Sequence, residues 1–361
     1  MKHPYSFFLF ILFCAPIQAQ TVHEYLDNLA RENKFSGSVL ISRGEEIIFH
    51  EAFGLADVNR NLPVTINTKF RIASMTKQFT AMAIMILQER GALNIDQPIG
   101  KYLKDYPNGD RIKIKHLLTH MSGLYCFMKD DDPRHASNLF NSFSTKTTYI
   151  DEIIEKYSGR RLHFEPGSQF RYCNYGYMLL AKIIEKVSKK RFGDFLQEVI
   201  WAPLGMSNTG IDYRGSDCAV GYEKFGVPVE YFDVSCVLGA ADMYSTTGDL
   251  YKWHIALRRN KNERVLVNPD TLKQIFTPAS SAKNGFGWFI YPVTIAGKEH
   301  FCVAHQGGSG ELDQGSVRGV RSMITRFIND DICVIILSGF GPVNQVQLSK
   351  RLAEIIFTPN N

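Results

Sequence analysis

The chain has 361 residues, of which 45% are hydrophobic and 21% charged, and its formal net charge is +5. A chain of this length usually forms one large domain or about two smaller ones. The composition is typical of a globular protein with a full-sized core and excludes intrinsic disorder, collagen and coiled coil. The basic residues are scattered in short runs, whereas a nucleic-acid binder normally concentrates them, so we expect no nucleic-acid partner.

The first twenty residues have the layout of a secretory signal peptide. Lys2 supplies the basic start, residues 7–13 form a continuous apolar run, and the small residue Ala19 stands at the expected cleavage point. The apolar run is too short to span a bilayer, which takes about 20 residues. We therefore expect a periplasmic or secreted protein without a stable membrane span. Its signal peptide would cover residues 1–19 and be cut off after Ala19. The alternative is a lipoprotein acylated at Cys14.

The cysteine content excludes a disulfide scaffold, because 7 cysteines in 361 residues are too few. Loss of the leader removes Cys14 and leaves six cysteines in a compartment that permits disulfides. Six cysteines allow fifteen full pairings, and the sequence does not choose among them.

The predicted elements are β-rich at both ends of the chain and helical in the middle. An amphipathic helix at 21–34 precedes a hairpin of strands at 36–42 and 46–53, and a long apolar helix at 74–90 ends at Gly91. Further helices are predicted at 112–119, 148–157, 177–187, 192–200 and 247–258. Strands follow at 287–293, 300–305, 322–329 and 332–338, and a helix at 343–357 closes the chain.

The two β-rich ends cannot bury their faces separately, so we expect them to form one sheet. The predicted fold class is α/β (α+β): an antiparallel sheet flanked by N- and C-terminal helices, with an inserted all-helical domain. The corresponding boundaries are 20–90 and 271–361 for a discontinuous α/β domain, and 91–270 for a mainly helical one.

One segment, Ser74-Met75-Thr76-Lys77, carries residues suited to nucleophilic chemistry. Residues i and i+3 of a helix share a face, so the Ser74 hydroxyl and the Lys77 amine can meet. The positive end of the helix dipole favours an alkoxide and disfavours an ammonium, which would make Lys77 a base for the serine. The pattern alone is weak, because a second copy occurs at 280–283. The alternative is a capping serine and a lysine that points to water.

Other hydrolytic sites are not indicated by the sequence. It contains no Gly-x-Ser-x-Gly segment, which many α/β-hydrolases use for their nucleophile. His116 and His120 have the spacing of a zinc-binding helix, but Leu117 stands where a zinc protease has its glutamate. We therefore expect no metal site.

Further motifs surround the Ser-x-x-Lys segment in a characteristic order. They are Phe70-Arg71-Ile72-Ala73, His116-Leu117-Leu118-Thr119-His120-Met121-Ser122-Gly123-Leu124, Phe170-Arg171-Tyr172-Cys173-Asn174-Tyr175-Gly176-Tyr177, Pro203-Leu204-Gly205-Met206, Tyr244-Ser245-Thr246-Thr247-Gly248-Asp249-Leu250, Gly285-Phe286-Gly287-Trp288 and His305-Gln306-Gly307-Gly308. With this ordered set the chain resembles the serine β-lactamase family. The resemblance is to its class C-like branch, which includes D-Ala-D-Ala carboxypeptidases, esterases and D-aminopeptidases, and it covers nearly the whole mature chain.

The resemblance implies a catalytic role for three residues, substrate binding for a fourth, and no metal or cofactor. Ser74 is similar to the acylated nucleophile of the family and Lys77 to its partner base. Tyr172 is similar to the tyrosine that relays protons, and Asn174 to the residue that holds the substrate carbonyl or side-chain amide. An unperturbed phenol titrates near 10, so Tyr172 needs a neighbouring cation such as Lys77 to act at neutral pH. Cys173, between them, is expected to be a small filler.

His305-Gln306-Gly307 occupies the place of the Lys-Thr-Gly strand element of the family. A largely neutral imidazole beside an amide makes a weaker anion site than an ammonium beside a hydroxyl, so substrates that bear a carboxylate are less expected. Gly307 and Gly308 would let the substrate backbone approach the strand.

The backbone N–H groups of Ser74 and Gly308 would then form the oxyanion hole. The alternative third element is Lys283-Asn284-Gly285, which has the lysine but lies just ahead of Gly285-Phe286-Gly287-Trp288.

We therefore expect an exported serine hydrolase that acts through an acyl-enzyme on amide, peptide or ester carbonyls. D-amino-acid peptides of the cell-wall type, peptidoglycan fragments among them, or small esters are the expected substrates, and β-lactams are expected to be weak ones. The alternative is a non-catalytic or slowly deacylating penicillin-binding module.

Overall fold

The structure, a computed structural model, describes residues 15–126, 130, 150–259, 265–280, 282–308 and 319–358. Residues 1–14, which contain Lys2, the predicted apolar run and Cys14, lie outside this part. The first described helix, Ala15–Arg31, begins before the predicted start at residue 21 and crosses the predicted cleavage point. Cleavage and export remain predictions. None of the described helices has both the length and the apolar character that crossing a membrane requires.

The described helices agree with most of those predicted, with differences at their ends. The predicted helix at 177–187 begins three residues earlier, at Asn174, and the one at 192–200 is a short α-helix followed by the π turn Gln197–Trp201. The helix at 269–275 was not predicted. The helices are α1 Ala15–Arg31, α2 Thr76–Glu89, α3 Ile114–Leu118, α4 Ile150–Tyr157, α5 Asn174–Ser188, α6 Phe192–Leu196, α7 Thr247–Arg259, α8 Pro269–Ile275 and α9 Gln345–Phe357.

In the described part of the chain there are six long strands, all predicted, and seven strands of two or three residues, which are too short to show a period-two pattern. They are β1 Gly37–Arg43, β2 Glu46–Phe53, β3 Leu55–Asp57, β4 Leu62–Pro63, β5 Phe70–Arg71, β6 Gly210–Ile211, β7 Tyr222–Lys224, β8 Val227–Pro228, β9 Met243–Ser245, β10 Phe289–Ile295, β11 Lys298–Gly307, β12 Arg321–Phe327 and β13 Ile332–Ser338.

The long strands form one antiparallel sheet in the order β10-β11-β12-β13-β1-β2, so strands from the two ends of the chain meet where β13 pairs with β1. This confirms the predicted fold class. The domain boundaries at 90/91 and 270/271 remain predictions.

The sheet separates two hydrophobic cores. Side chains of β13 alternate between them, with Val334 and Ile336 in one core and Cys333 and Ile335 in the other, as the pleat of a strand requires. Helices α1 and α9 cover the first face, and α7 with the other helices of the middle of the chain covers the second. Because both faces are covered, every residue of β13 is buried.

Candidate active site

Ser74 lies in a short 3-10 turn that leads into α2. The residue that precedes this turn, Ile72, is fixed on both sides: its N–H donates to the carbonyl of Met243 (2.9 Å), and its carbonyl accepts from Ser322 Oγ (2.8 Å). Ala73 has a φ of 44°, in the left-handed region, which costs a non-glycine residue about 1–3 kcal/mol. The serine is therefore presented by a strained turn that two sheets hold in place.

Lys77 is completely buried in the first turn of α2 and contacts the serine. Its Nζ donates to Ser74 Oγ at 3.1 Å and to the carbonyl of Ala240 at 2.8 Å. The predicted contact between Ser74 and Lys77 is thus present, and the lysine does not point to water. When the amine is neutral, it can keep a hydrogen on the carbonyl and turn its lone pair to the serine hydroxyl, which is the arrangement that a general base needs.

Tyr172 lies beside Lys77, whose Nζ is 4.9 Å from the centre of the phenol ring. The ring also contacts His120, with centroids 4.3 Å apart. His120 holds the main chain on either side of the tyrosine: its carbonyl accepts from Arg171 N (2.8 Å) and its Nδ1 accepts from Cys173 N (3.2 Å). Sequence reasoning identified no role for His120 in the site, although it belongs to one of the motifs quoted above.

The end of β11 lies against the turn that carries Ser74. A Cβ at Gly307 would lie 2.0 Å from the carbonyl oxygen of Ile72, so only glycine permits this approach. Two residues before it, His305 is linked to the tyrosine through Phe289, whose ring centroid is 5.3 Å from the imidazole and 6.4 Å from the phenol. The structure therefore brings Ser74, Lys77, Tyr172 and the predicted third element together.

His305 is a neutral imidazole. Burial, reinforced by the charge of Lys77, lowers the pKa of His305 to about 3. Its Nδ1 lies 2.7 Å from the carbonyl oxygen of Gln306. Because a carbonyl only accepts, the proton sits on Nδ1, and Nε2 of the neutral ring is an acceptor.

Gly308 has a φ of 66°, and a Cβ there would lie 1.9 Å from the carbonyl oxygen of Val320. The carbonyls of Gly307 and Gly308 both accept from Nε2 of Gln345, a buried residue in the first turn of α9. Helix α9 therefore fixes the strand end that carries the predicted oxyanion-hole N–H. Gln345 was missed by sequence reasoning, because an isolated glutamine gives no signal of this role.

Asn174, the first residue of α5, has a buried side-chain oxygen that makes no hydrogen bond within the part of the chain described. Buried polar atoms in native proteins are nearly always paired, so this oxygen is placed to receive a donor from a ligand.

A buried carboxyl supports the loop that holds the lysine. Asp242 Oδ1 accepts from Gly239 N (2.8 Å), and this closes the short loop that contains Ala240, the carbonyl partner of Lys77. Burial raises the pKa of Asp242 to about 7; the nearby Asp212 raises it further and the charge of Lys77 opposes the shift. Asp242 was not identified from the sequence, because its role depends on burial.

Three other sequence candidates are engaged elsewhere. The side chain of Asn284 donates to the carbonyl of Thr119 and accepts from Ser280. The alternative third element, which contains Asn284, therefore shares one turn with Ser280, the serine of the second Ser-x-x-Lys segment. Tyr106 stands two residues before Asn108, as Tyr172 does before Asn174, but its buried hydroxyl donates to that of Tyr175. Burial raises the pKa of the Cys173 thiol, which makes it a poor nucleophile.

Comparisons with known proteins identify the family. A family model described as Beta-lactamase matches residues 20–348. The chain is 31% identical over 284 residues to PbpX, a penicillin-binding protein of Bacillus subtilis (strain 168), which covers 76% of this chain and 68% of that protein. It is 28% identical over 338 residues to a second penicillin-binding protein of that strain, covering 86% of this chain and 70% of the relative.

A solved structure is similar over almost the full length. The D-amino acid amidase from Ochrobactrum anthropi SV3, complexed with L-phenylalanine, has a TM-score of 0.77 and 25% identity, and the match covers 94% of this chain and 98% of that one. These findings confirm the resemblance seen in the sequence: the chain belongs to the beta-lactamase family of serine hydrolases.

Proposed function

We propose that this protein is an exported hydrolase in which Ser74 forms an acyl-enzyme with amide, peptide or ester carbonyls. The observation that carries the proposal is the 3.1 Å hydrogen bond between Ser74 Oγ and the buried amine of Lys77. A serine hydroxyl is a weak nucleophile at its ordinary pKa and needs an adjacent base, which this contact provides.

The reaction begins when the neutral Lys77 amine takes the Ser74 proton as Oγ bonds to the substrate carbonyl carbon. The backbone N–H groups of Ser74 and Gly308 donate to the resulting oxyanion, and Gln345 holds the second of them through the Gly307 carbonyl, which belongs to the same peptide unit. Tyr172, next to Lys77, passes its proton to the leaving nitrogen or oxygen as that bond breaks and takes one back from the Lys77 ammonium, so both groups return to their neutral forms. Water then attacks the acyl carbon and gives a proton to Lys77, which passes it to Ser74 Oγ as the acyl group leaves.

The proposed substrate class rests on the chemistry of two polar residues, His305 and Asn174. A neutral His305 with an acceptor nitrogen does not provide the cation that a substrate carboxylate would seek. The buried oxygen of Asn174 is likewise an acceptor and suits an N–H donor. We therefore propose D-amino-acid amides and peptides without a free terminal carboxylate, or small esters, as substrates; the similarity to a D-amino acid amidase supports this choice.

A matched pair of peptides tests the substrate proposal. One peptide ends in D-Ala-D-Ala with a free carboxylate, and the other carries the same sequence with a terminal amide. We expect kcat/KM to be at least about tenfold higher for the amide, since the neutral His305 brings no counter-charge to the terminal carboxylate. Preference for the free acid, or for a cephalosporin over both peptides and a small ester, would contradict the proposal.

The names of the Bacillus subtilis relatives favour a second candidate, a penicillin-binding module that deacylates slowly. Labelled penicillin distinguishes the two functions. A stable label that Ser74→Ala abolishes, together with no turnover of amide or ester, would favour the module, whereas turnover of either substrate favours the hydrolase.

Export is tested by expressing the full chain in a bacterium with a periplasm and sequencing the N-terminus of the fractionated protein. We expect a chain that begins at Gln20 in the periplasmic or secreted fraction. An intact Met1 in the cytoplasmic fraction would contradict export.

A further inference from the structure

Tyr172 follows the second of two loops that are bonded to each other. Loop 120–126 comes after α3, and loop 163–171 leads to Tyr172 and α5. Three main-chain hydrogen bonds of 2.7–2.8 Å join the loops in antiparallel order: His163 N to the carbonyl of Gly123, Gly167 N to that of Met121, and Arg171 N to that of His120. The place of Tyr172 therefore depends on how firmly these loops are held together.

Asp130 binds both loops through a buried carboxylate, since its side chain is only 5% exposed. Its Oδ2 accepts three hydrogen bonds: from Cys126 N (2.7 Å), from His163 Nε2 (2.8 Å) and from Arg171 Nη1 (2.7 Å). Its Oδ1 accepts from Arg171 Nη2, so the guanidinium is bound in the bidentate manner. One carboxylate thus joins the end of loop 120–126 to both ends of loop 163–171.

The Asp130 carboxyl is charged at neutral pH and well below it. Burial raises the pKa of Asp130, but the hydrogen bonds from Arg171, from Cys126 N and from His163 outweigh burial and lower it to about 2. The bonds to Arg171 are therefore charge-assisted, and such bonds are roughly twice as strong as neutral ones. An amide of the same size would hold the loops less firmly.

Arg171 transmits this restraint to Tyr172. It directly precedes the tyrosine, and it is bound at its main chain to His120 and at its side chain to Asp130. The ring of His120 lies against the phenol, with centroids 4.3 Å apart, and Lys77 Nζ is 4.9 Å from the centre of the phenol ring. Reacting groups must be placed to within about 0.5 Å, so a loosened loop slows the reaction before it unfolds the protein.

We propose that Asp130 is a positioning residue: through the side chain of Arg171, its carboxylate holds the Tyr172 hydroxyl where it can give its proton to the leaving group. The inference rests on the proposed function, because it concerns one step of that reaction. The alternative is an ion pair that stabilises the two loops and has no effect on turnover by the folded chain.

Two esters of the same acid distinguish these roles. The leaving group of an alkyl ester needs a proton, whereas that of a nitrophenyl ester departs without one. In Asp130→Asn we expect kcat/KM to fall at least about tenfold for the alkyl ester and less than about twofold for the nitrophenyl ester, because only the first depends on the proton of Tyr172. Equal losses for the two esters, or no loss for either, would overturn the proposal.

A double variant tests the path through the tyrosine. Tyr172→Phe should show the same dependence on the leaving group. Adding Asp130→Asn to it should cost less than about twofold more, because the effects of residues that act as a unit are not additive. A further loss as large as that of Asp130→Asn alone would overturn the proposal.

The matched control is Glu165→Gln, which removes the carboxylate of an exposed ion pair with Arg111 in the same loop. It should leave kcat/KM unchanged for both esters. If Asp130→Asn fails to fold, Arg171→Lys takes its place, since lysine keeps the positive charge but not the bidentate contact. We expect it to lose at least about threefold for the alkyl ester alone. Unchanged kcat/KM for that ester would overturn the proposal.

Hydrogen exchange followed by mass spectrometry measures the restraint without turnover. We expect the amides of 120–126 and 163–173 to exchange at least about fivefold faster in Asp130→Asn, because the loops open more easily, and at an unchanged rate in Glu165→Gln. Unchanged exchange in Asp130→Asn would overturn the proposal. An unaltered chain that turns over neither ester would contradict the proposed function, and faster exchange in the variant would then still support the role of Asp130 in holding the loops.

Discussion

The side chains around Ser74 are arranged to keep charge low. The Lys77 amine donates to Ser74 Oγ and to the carbonyl of Ala240 and lies near the rings of Tyr172 and Tyr177, and the nearby His305 is neutral. Burial disfavours the charged form of a histidine, and a second cation beside it adds to that cost. The chemistry of the site therefore rests on proton transfer among neutral or singly charged groups rather than on a cluster of cations.

His305 is expected to stay neutral from pH 8 down to pH 5. Its pKa is lowered to about 3, so the ring does not gain a proton in this range. The measurement is the pH dependence of the ring signals in NMR spectra of a histidine-labelled chain, in which His305→Gln assigns the signal. We expect no titration and a proton on Nδ1; a signal that titrates with a midpoint near 6.5 would contradict the neutral ring.

At the scale of single residues, the site residues that belong to a sequence motif were predicted. Those whose role depends on burial or backbone geometry were not. Ser74, Lys77 and Tyr172 belong to short sequence motifs, and the spacing of a short motif can be read without a structure. The left-handed Ala73 and the buried Asp242 carry no such mark, because an alanine or an aspartate at those positions looks the same in the sequence whether it is strained, buried or exposed.

Secondary-structure elements from distant parts of the chain position the site. Strand β11 places Gly307 against the Ser74 turn, β12 supplies Ser322, and α9 holds the strand end through Gln345. Each contact joins residues that are far apart in sequence, so the local patterns that predicted the elements could not predict which of them would meet.

Gln345→Met tests the link between α9 and the oxyanion hole. Methionine fills a similar volume but cannot donate to the carbonyls of Gly307 and Gly308, so the Gly308 N–H should lose its fixed orientation. We expect kcat for a small ester to fall by about tenfold, with KM changed by less than about twofold, because the lost interaction acts on the transition state.

The matched control for this variant is Gln347→Met, two residues further along the same helix and exposed. It should leave kcat unchanged. Equal kcat values for the two variants and the unaltered chain would show that Gln345 does not position the strand end, and a thermal scan separates this outcome from a loss of stability.

Across the whole molecule, one antiparallel sheet with flanking helices was predicted, while the small sheet β5-β9-β6, which holds the chain before Ser74, was not. The long strands are rich in apolar and β-branched residues, and this pattern is visible without a structure. Strands β5 and β9 are two and three residues long, yet they hold the chain directly before Ser74. Their pairing depends on contacts that form only when the chain is folded.

The stability of the fold should depend on pH through Asp242. Its pKa is about 7 in the folded protein against an ordinary value of 3.8, so between these values the folded state binds the extra proton. Stability from this group is therefore lost as the pH rises from about 4 to above 7. His305 has the opposite effect on stability. Its pKa is lowered in the folded protein, so below about pH 6.5 the unfolded state binds a proton that the folded state does not, and stability falls as the pH falls.

Asp242→Asn isolates the contribution of the carboxyl, since asparagine resembles its protonated form and keeps an acceptor for Gly239 N. We expect the variant to exceed the unaltered chain in free energy of unfolding at pH 8 by up to about 4 kcal/mol, and to show no gain at pH 4. The measurement is denaturant unfolding at both values. A difference that does not change with pH would contradict the raised pKa.

The most direct measurement is the mass of the Ser74 peptide after a brief reaction with an activated ester or penicillin. The sample is quenched in acid, digested and analysed by mass spectrometry, with Ser74→Ala as the control. We expect the acyl group on Ser74 in the unaltered chain and no acylated peptide in the variant. An acyl group on another residue, or one that persists in Ser74→Ala, would contradict the assignment of Ser74 as the nucleophile.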